Sequence, residues 1–548
     1  MKIIIPMSGM GQRFVDAGYR DPKPLIEIGG MPIIEHVVKL FPGERDFIFI
    51  CNSKHLRETN MRSVLSRIAP GGRIVEIPPH KKGPVYAVSL VYDLIDDGEE
   101  AVVNYCDFGK YWDYADFLQH TRGRGADGAI AAYRGFHPHM LGTTNYAFMR
   151  DRRQWMLEIQ EKKPFTENRM GEFASDGTYY FRSGAILKKY FEQLMDDDIN
   201  LNGEYYVSMV YNLLARDGLN VSIYKIQHML QWGTPQDVKE FMAWSGYFEH
   251  CIRQRPAVPV EPGSVMVIPM AGRGSRFANE GYRIPKPLIE VSGKPMVIQA
   301  AASLPPAEHS RFICLAEHLD GFPIADEIRR AYPDARIVPL DRVTEGQACT
   351  VEIGIEDCDP ESPLVIGASD NGMLWDVARY QSLIADPSVD GIIFTFRHHA
   401  SAAANPHMYG WVRTDSGGAV SGVSVKKAIS DDPCRDHAVV GAFYFRRARY
   451  FREGLARLYR DNIRVNNEFY VDSVMDMLPA MGYRIMAFEV DDYLCWGTPD
   501  DLRTFEYWQG FFHKCDWHPY RLELDSGMNP DRVAELDARY RAFTQEYE

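Results

Sequence analysis

Long hydrophobic runs are missing from this 548-residue sequence. No stretch approaches the ~18 uninterrupted apolar residues of a membrane span, so membrane insertion is not expected. The opening Met1-Lys2-Ile3-Ile4-Ile5-Pro6 enters strand-like sequence without a secretory h-region, so an unexported, cytoplasmic chain is expected. Nine cysteines are scattered with no C-x-x-C pair and no His-rich partner spacing, which argues against a zinc module or a disulfide scaffold and suits a reducing compartment. Positive charge is also in deficit: 61 Lys and Arg stand against 75 Asp and Glu, a net charge of −14. Such a field repels nucleic acid and anionic membrane, and any polyanionic ligand must meet a local cluster of cations. What is present is ordinary globular composition, 45% hydrophobic, 25% charged and 12% aromatic, in a chain long enough for more than one sizeable core.

The sequence contains itself twice. Pro6-Met7-Ser8-Gly9-Met10-Gly11-Gln12-Arg13-Phe14 recurs as Pro269-Met270-Ala271-Gly272-Arg273-Gly274-Ser275-Arg276-Phe277, an offset of 263 residues. Pro22-Lys23-Pro24-Leu25 returns as Pro285-Lys286-Pro287-Leu288, and Asp107-x-Gly109-x-x-Trp112-Asp113 as Asp370-x-Gly372-x-x-Trp375-Asp376. Further on, Lys162-Lys163, Glu204-x-Tyr206-Val207 and Trp232-Gly233-Thr234-Pro235 match Lys426-Lys427, Glu468-x-Tyr470-Val471 and Trp496-Gly497-Thr498-Pro499, with the offset moved to 264. A register held over so many residues means two copies of one domain rather than a solenoid of short repeats. The expected organisation is a first domain over 1–252, a Pro-rich linker over 253–263, a second domain over 264–514 and a C-terminal helical tail over 515–548. In that tail Val533, Leu536, Tyr540 and Phe543 fall at helical spacing.

Within each copy, β-rich runs such as Lys2 to Ile5, Asp46 to Cys51, Ile74 to Ile77, Ala101 to Tyr105 and Gly128 to Tyr133 alternate with segments long enough for crossover helices. That alternation predicts an α/β fold with a largely parallel sheet, helices on both faces, and ligands at the carboxyl ends of the strands. The first loop, Gly9-x-Gly11-x-Arg13, lets main-chain N–H groups approach an anion and adds a guanidinium fork for phosphate oxygens. It is neither a dinucleotide fingerprint, since Phe14 and Phe277 stand at the third glycine position, nor a Walker loop, since Gly-Lys-Ser/Thr is absent. A lysine framed by two prolines, Lys23 or Lys286, sits on stiff backbone, so its ammonium is aimed at low entropic cost.

The Gly-x-Gly-x-Arg loop followed by Pro-Lys resembles the nucleotidyltransferases that join a sugar phosphate, or a similar phosphate, to a nucleoside triphosphate. The likeness runs over both copies. It implies two tandem Rossmann-like domains of the GT-A type with mixed, mostly parallel sheets, release of diphosphate, and Mg²⁺ as cofactor. It places Gly9, Gly11, Arg13 and Lys23, and likewise Gly272, Gly274, Arg276 and Lys286, on the triphosphate, the Arg and Lys as the catalytic cations. Gly83, and Gly346 with Gln347, fall where the base is read. Asp107 and Asp370 match the metal-binding aspartate, and Lys162 and Lys426 match the lysine that holds the acceptor phosphate. Gly177 and Gly441 sit in the family's Gly-x-Tyr/Phe-Tyr-Phe strand.

The second copy departs from the pattern at Val425, which replaces Glu161 of the Glu-Lys pair. Gln231 and Cys495 stand where relatives carry a second metal-binding aspartate. Glu204 and Glu468 are the candidate replacements, with a surface role as the alternative. Thr234-Pro235 and Thr498-Pro499, followed by Asp237 and Asp501, also make good helix starts, and that structural reading is preferred. His137, His139, His398, His399 and His407 show no shared ligand spacing and are assigned no role. An acceptor phosphate is already mostly dianionic at neutral pH, with a second pKa near ~6, so the reaction needs neutralised charge more than a base. The expected partners are a nucleoside triphosphate and a phosphorylated small molecule, for capsule or surface polysaccharide precursors. CTP would be the usual donor if the acceptor is of the choline- or amide-phosphate type. A homo-oligomer is left open, as is the alternative that one copy is catalytic and the other a regulatory or ligand-binding module. A glycosyltransferase on the same core would carry Asp-x-Asp, and Asp107-Phe108-Gly109 and Asp370-Asn371-Gly372 do not.

Overall fold

Three consecutive isoleucines, Ile3, Ile4 and Ile5, are each fully buried, which requires a strand covered on both faces. The computed structural model describes residues 1–142, 145–399, 402 and 405–545. The chain forms two units: one comprises Met1–Phe248, Tyr507–Pro519 and the residues from Ala538 on, the other Glu249–Glu506 and Tyr520–Asp537. The tail is therefore shared between them, and its helix, Val533–Arg541, buries Leu536 and Tyr540. The strand Glu261–Pro269 begins inside the expected linker, with a register shift between Glu261 and Val265.

In the first unit the sheet runs, edge to edge, Arg73–Ile77, Phe47–Asn52, Lys2–Met7, Ala101–Asn104, Phe173–Phe181, Gly128–Tyr133, Val221–Lys225, Trp155–Glu161 and Ala147–Arg152. The first four are mutually parallel, and Phe173–Phe181 runs antiparallel to Ala101–Asn104, Gly128–Tyr133 and, at its start, Ala147–Arg152. The chain leaves Lys2–Met7 toward Phe47–Asn52 on one side and returns to Ala101–Asn104 on the other. That reversal opens a crevice at the carboxyl ends of Lys2–Met7 and Ala101–Asn104, the usual ligand position in such sheets. The glycine loop follows the first of these strands and Asp107 the second.

The second unit repeats the order: Arg336–Leu340, Ala307–Leu315, Glu261–Pro269, Leu364–Ile366, His437–Phe445, Gly391–Phe396 and Ile485–Glu489, with the hairpin Gly410–Thr414 and Val420–Val425 joined to His437–Phe445. Val265 and Val267 enter one apolar cluster and Met266 and Ile268 another, so this sheet too is buried on both faces. Both units are thus α/β with mixed sheets, parallel where the crevice lies.

The repeated Asp-x-Gly and Trp-Gly-Thr-Pro motifs turn out to be one device. A two-stranded antiparallel ladder pairs Phe108–Tyr111 with His228–Gln231, and Asn371–Leu374 pairs with Asp492–Cys495. A methyl group on Gly109 would lie 2.5 Å from the Trp232 ring, and one on Gly372 2.7 Å from Trp496. Only glycine lets the tryptophan lie flat on the strand, and the Trp232 amide donates to the Asp107 carbonyl at 3.1 Å. The aspartate that ends one strand is thereby fixed by a motif more than a hundred residues downstream.

Candidate active site

Gly11 and Gly274 adopt left-handed backbone, φ 63° and 62°, each at the start of a short helix, Gln12–Asp16 and Ser275–Asn279. A side chain at Gly9 or Gly272 would meet no atom within 4 Å, so the loop main chain lines open space. Pro22 holds an extended conformation and Lys23–Leu25 a single 3₁₀ turn, and Lys286–Leu288 repeats it. That turn aims the ammonium inward: Lys23 Nζ lies 2.7 Å from Asp107 Oδ2. Lys286 pairs with Asp370 in the same way and also donates to the Gly497 carbonyl at 3.1 Å.

In each pair one partner is held in its charged form. Burial works against the Lys23 ammonium, but Asp107 outweighs it and the Lys23 pKa is raised. Burial likewise opposes the Asp370 carboxylate, while Lys286, helped by the field of Arg276, holds its pKa below the usual value.

Two adjoining hollows meet at this pair in the first unit. One, of about 480 Å³, is lined by the glycine loop from Pro6 to Gly11, by His80, Lys81 and Gly83, and by Glu204. The other, of about 360 Å³, is lined by Arg13, Asn145, Tyr146, Glu161, Lys162, Ser175 and Asp176. Lys23, Tyr105, Asp107 and Tyr206 line both. The catalytic, loop, metal and acceptor residues expected from sequence in the first copy therefore face one divided cavity. A hydrogen-bonded chain crosses it: Lys162 Nζ donates to the Tyr206 hydroxyl at 2.7 Å, and that hydroxyl donates to the Glu204 carboxylate.

Lys162 and Lys426 both stand in left-handed backbone, φ 59° and 62°, although neither is glycine. Each is tied there by its amide, which donates to the carbonyl of Tyr146 or Tyr409 at 2.9 and 3.0 Å. The same left-handed backbone recurs in both copies, as it does at Asn202 and Asn466. Gly83 and Gly346 are needed for close approach: a methyl on either would lie within 2.7 Å of the Tyr205 or Phe469 main chain. Gln347 begins the helix Gln347–Gly354.

The Gly-Thr-Pro segment has both a structural and a positional part. Thr234 and Asp237 cap each other reciprocally at the start of helix Pro235–Cys251, as Thr498 and Asp501 do before Pro499–Lys514. Gly233 sits against the Asp107 carboxylate, 3.5 Å from a would-be side chain. Cys495, in the place of a second aspartate, points its thiol at Asp501 at 3.3 Å.

No group of three His, Cys, Asp or Glu side chains placed to hold a metal ion exists among the described residues. The donor set still fits Mg²⁺, which commonly takes one or two carboxylates and completes its shell with phosphate oxygens and water. Asp107 and Asp370 are partly exposed carboxylates at the mouth of the loop. His137, buried, and His139, half-buried, lie among aromatic rings, and desolvation pulls His137 down to about 4. Tyr105, Tyr206, Ser208 and Asn145 were not singled out from sequence. Only Tyr206, inside the repeated Glu-x-Tyr-Val motif, left a signal there.

Residues 3–170 match the family described as MobA-like NTP transferase domain. A glucose-1-phosphate cytidylyltransferase of Salmonella typhimurium is 41% identical over 56 residues, which is 10% of this chain and 22% of that protein. The chain thus spans less than a quarter of the length of the curated relatives it matches. Among solved structures, a nucleoside-diphosphate-sugar pyrophosphorylase from Vibrio cholerae is 23% identical, with 44% of this chain and 99% of that one covered and a TM-score of 0.38. The inositol-1-phosphate CTP transferase of T. maritima is 12% identical, with 44% of this chain and 94% of that one covered and a TM-score of 0.35. The first unit contains a MobA-like NTP transferase domain. Among the described residues no helix is long and apolar enough to cross a membrane.

Proposed function

We propose that each unit is a nucleotidyltransferase site, joining a nucleoside triphosphate to a phosphorylated small molecule with release of diphosphate. The observation that carries this reading is the framed lysine seated on the strand-end aspartate, Lys23 on Asp107 and Lys286 on Asp370, at the carboxyl ends of the same two strands in both units. The glycine-loop hollow takes the triphosphate, with the main-chain amides around Gly9 and Gly11 and the Lys23 ammonium on its oxygens. The second hollow takes the acceptor, whose phosphate lies between Lys162 and Arg13. An oxygen of that phosphate forms the new bond to the α-phosphorus as the bond to diphosphate breaks. No base is required, because the attacking monoester is already ionised. Arg13 and Lys23 hold two mutually repelling anions in line. A Mg²⁺ entering with the triphosphate would be held by Asp107 or Asp370, with Glu204 and Glu468 as further candidates, and would supply charge neutralisation on the phosphate oxygens.

The substrates follow the same reasoning at lower resolution. The match to a glucose-1-phosphate cytidylyltransferase supports a sugar phosphate or similar small phosphate as acceptor and CTP as a donor to test first. A role in capsule or surface polysaccharide precursors, in the cytoplasm, belongs to this reading. A second reading, in which one unit only binds ligand, is favoured by Val425 in place of Glu161. Diphosphate release is the test: the four common triphosphates are screened against phosphorylated sugars and alcohols with Mg²⁺. Turnover of at least one pair is expected, and none across a panel that includes non-sugar phosphates would overturn the reading.

A further inference from the structure

The loss of Glu161 in the second unit is one of three linked exchanges. Glu161 lies opposite Ala147 in the register of its hairpin, and Val425 lies opposite Gly410. Ser208, on the helix Val207–Arg216, donates to Glu161 Oε2 at 2.5 Å. Its counterpart, at the same place on the helix Val471–Met477, is Asp472. The set Ala147, Glu161 and Ser208 has therefore become Gly410, Val425 and Asp472. A methyl group on Gly410 would overlap Asp472 Oδ2, so the loss of the alanine methyl makes the space that the new carboxylate fills. A carboxylate has been removed from the strand and one restored from the facing helix.

We propose that Asp472 provides, in the second unit, the acceptor-binding carboxylate that Glu161 provides in the first, and that this relocation makes the two units prefer different acceptors. The inference rests on the transferase reading above. A carboxylate beside a lysine cannot itself receive a phosphate; it accepts a hydrogen bond from a hydroxyl or amine on the body of the acceptor while the lysine takes the phosphate. In the first unit that carboxylate reaches from the strand beside Lys162, held by the Ser208 hydroxyl. In the second it comes from the facing helix on a shorter side chain, so the donor group it meets lies elsewhere relative to the phosphate. Lys426 keeps the strained backbone of Lys162, and its ammonium is the cation whose field opposes the effect of burial on Asp472. An aspartate placed only to favour the first turn of its helix would not call for a glycine at 410 or a valine at 425.

The test uses the full chain carrying Lys23→Ala, so that remaining diphosphate release reports on the second unit. Asp472→Asn, nearly isosteric, is expected to raise KM for the acceptor at least tenfold and to leave KM for the triphosphate within twofold. Transplanting the first unit's set, Gly410→Ala with Val425→Glu and Asp472→Ser, is expected to restore turnover with the first unit's acceptor preference. Thermal unfolding of each variant separates loss of fold from loss of binding, and the ratio of the two KM values is unaffected by a reduced folded fraction. An Asp472→Asn chain that unfolds normally and keeps its acceptor KM within twofold would overturn the inference while leaving the transferase reading intact. A Lys23→Ala chain that turns over no pair at all, while Lys286→Ala remains active, would remove the transferase reading of this unit and the inference with it.

Discussion

The two units solve one buried problem in opposite ways. In the first, Lys110 and Asp176 form an ion pair at 2.8 Å with both side chains fully buried. Lys110 also donates to Thr178 Oγ1 at 2.6 Å, Thr178 donates to Asn104 Oδ1 at 2.6 Å, and the ammonium lies 3.4 Å from the centre of the Trp112 ring. In the second unit the corresponding residues are Met373, Val440, Ala442 and Gly367, and the first three belong to one apolar cluster. Desolvation costs a buried ion pair much of what its attraction returns, so replacement by well-packed apolar groups is often neutral or stabilising. The ion pair is therefore no requirement of this fold. Its place is the wall of the hollow proposed for the acceptor, where Ser175 and Asp176 correspond to Val439 and Val440 in the second unit. With the exchange at Glu161 and Asp472, this makes the side proposed for the acceptor a part in which the units differ, while the framed lysine, the strand-end aspartate and the glycines and arginine of the loop stay the same.

The largest effect expected from breaking this comparison is at Lys110. Lys110→Met alone leaves Asp176 buried without its partner and should cost about 3–5 kcal/mol in denaturant unfolding. The triple exchange Lys110→Met, Asp176→Val, Thr178→Ala, which copies the second unit, should recover most of it. A triple variant as unstable as the single would break the comparison.

Next in size is Asp472, whose carboxyl burial pushes up to about 6 against the pull of Lys426. Between its unfolded value near ~3.9 and that value, the folded chain binds more protons than the unfolded one, so this group's contribution falls as pH rises through the window. Asp472→Asn should therefore stabilise the chain by up to about 3 kcal/mol at pH 8 and by almost nothing at pH 4. Melting curves at the two pH values check the sign, and a gain independent of pH would contradict it.

Gly109→Ala and Gly372→Ala should each cost about 1–3 kcal/mol by forcing the tryptophan off its strand, equally in the two units. The smallest effect is at the caps: Thr234→Ala or Thr498→Ala should lower stability by about 1 kcal/mol and leave turnover per folded molecule unchanged. A larger fall in turnover than in stability would mean that the cap also positions Gly233 or Gly497 at the aspartate.

Residues whose backbone is dictated by their own chemistry were legible in the sequence. Gly11 and Gly274 supply left-handed backbone, Pro22 and Pro24 frame Lys23, and Thr234 with Asp237 announces a helix start, so loop, cation and cap could each be placed from local pattern. The alternation of strands and helices carried the α/β class, while the long antiparallel strand Phe173–Phe181 in mid-sheet is set by pairing alone. Nothing local marks Lys162 and Lys426 for left-handed backbone, because lysine has no preference for it; the hydrogen bonds that their amides donate to the carbonyls of Tyr146 and Tyr409 hold it. The union of Asp-x-Gly with Trp-Gly-Thr-Pro, and the exchange between Glu161 and Asp472, are likewise facts of proximity. Val425 read alone as the loss of a functional group; beside Gly410 and Asp472 it reads as a relocation.

If both units transfer nucleotides, each does so through its own framed lysine and strand-end aspartate. Diphosphate release by the unaltered chain, Lys23→Ala, Lys286→Ala and the double variant, over one panel of triphosphates and phosphorylated acceptors, tests it most directly. Each single variant should lose a different subset of pairs by about 10²–10³-fold, and the double variant all of them. Single variants that both retain the full panel at unaltered rates would contradict it.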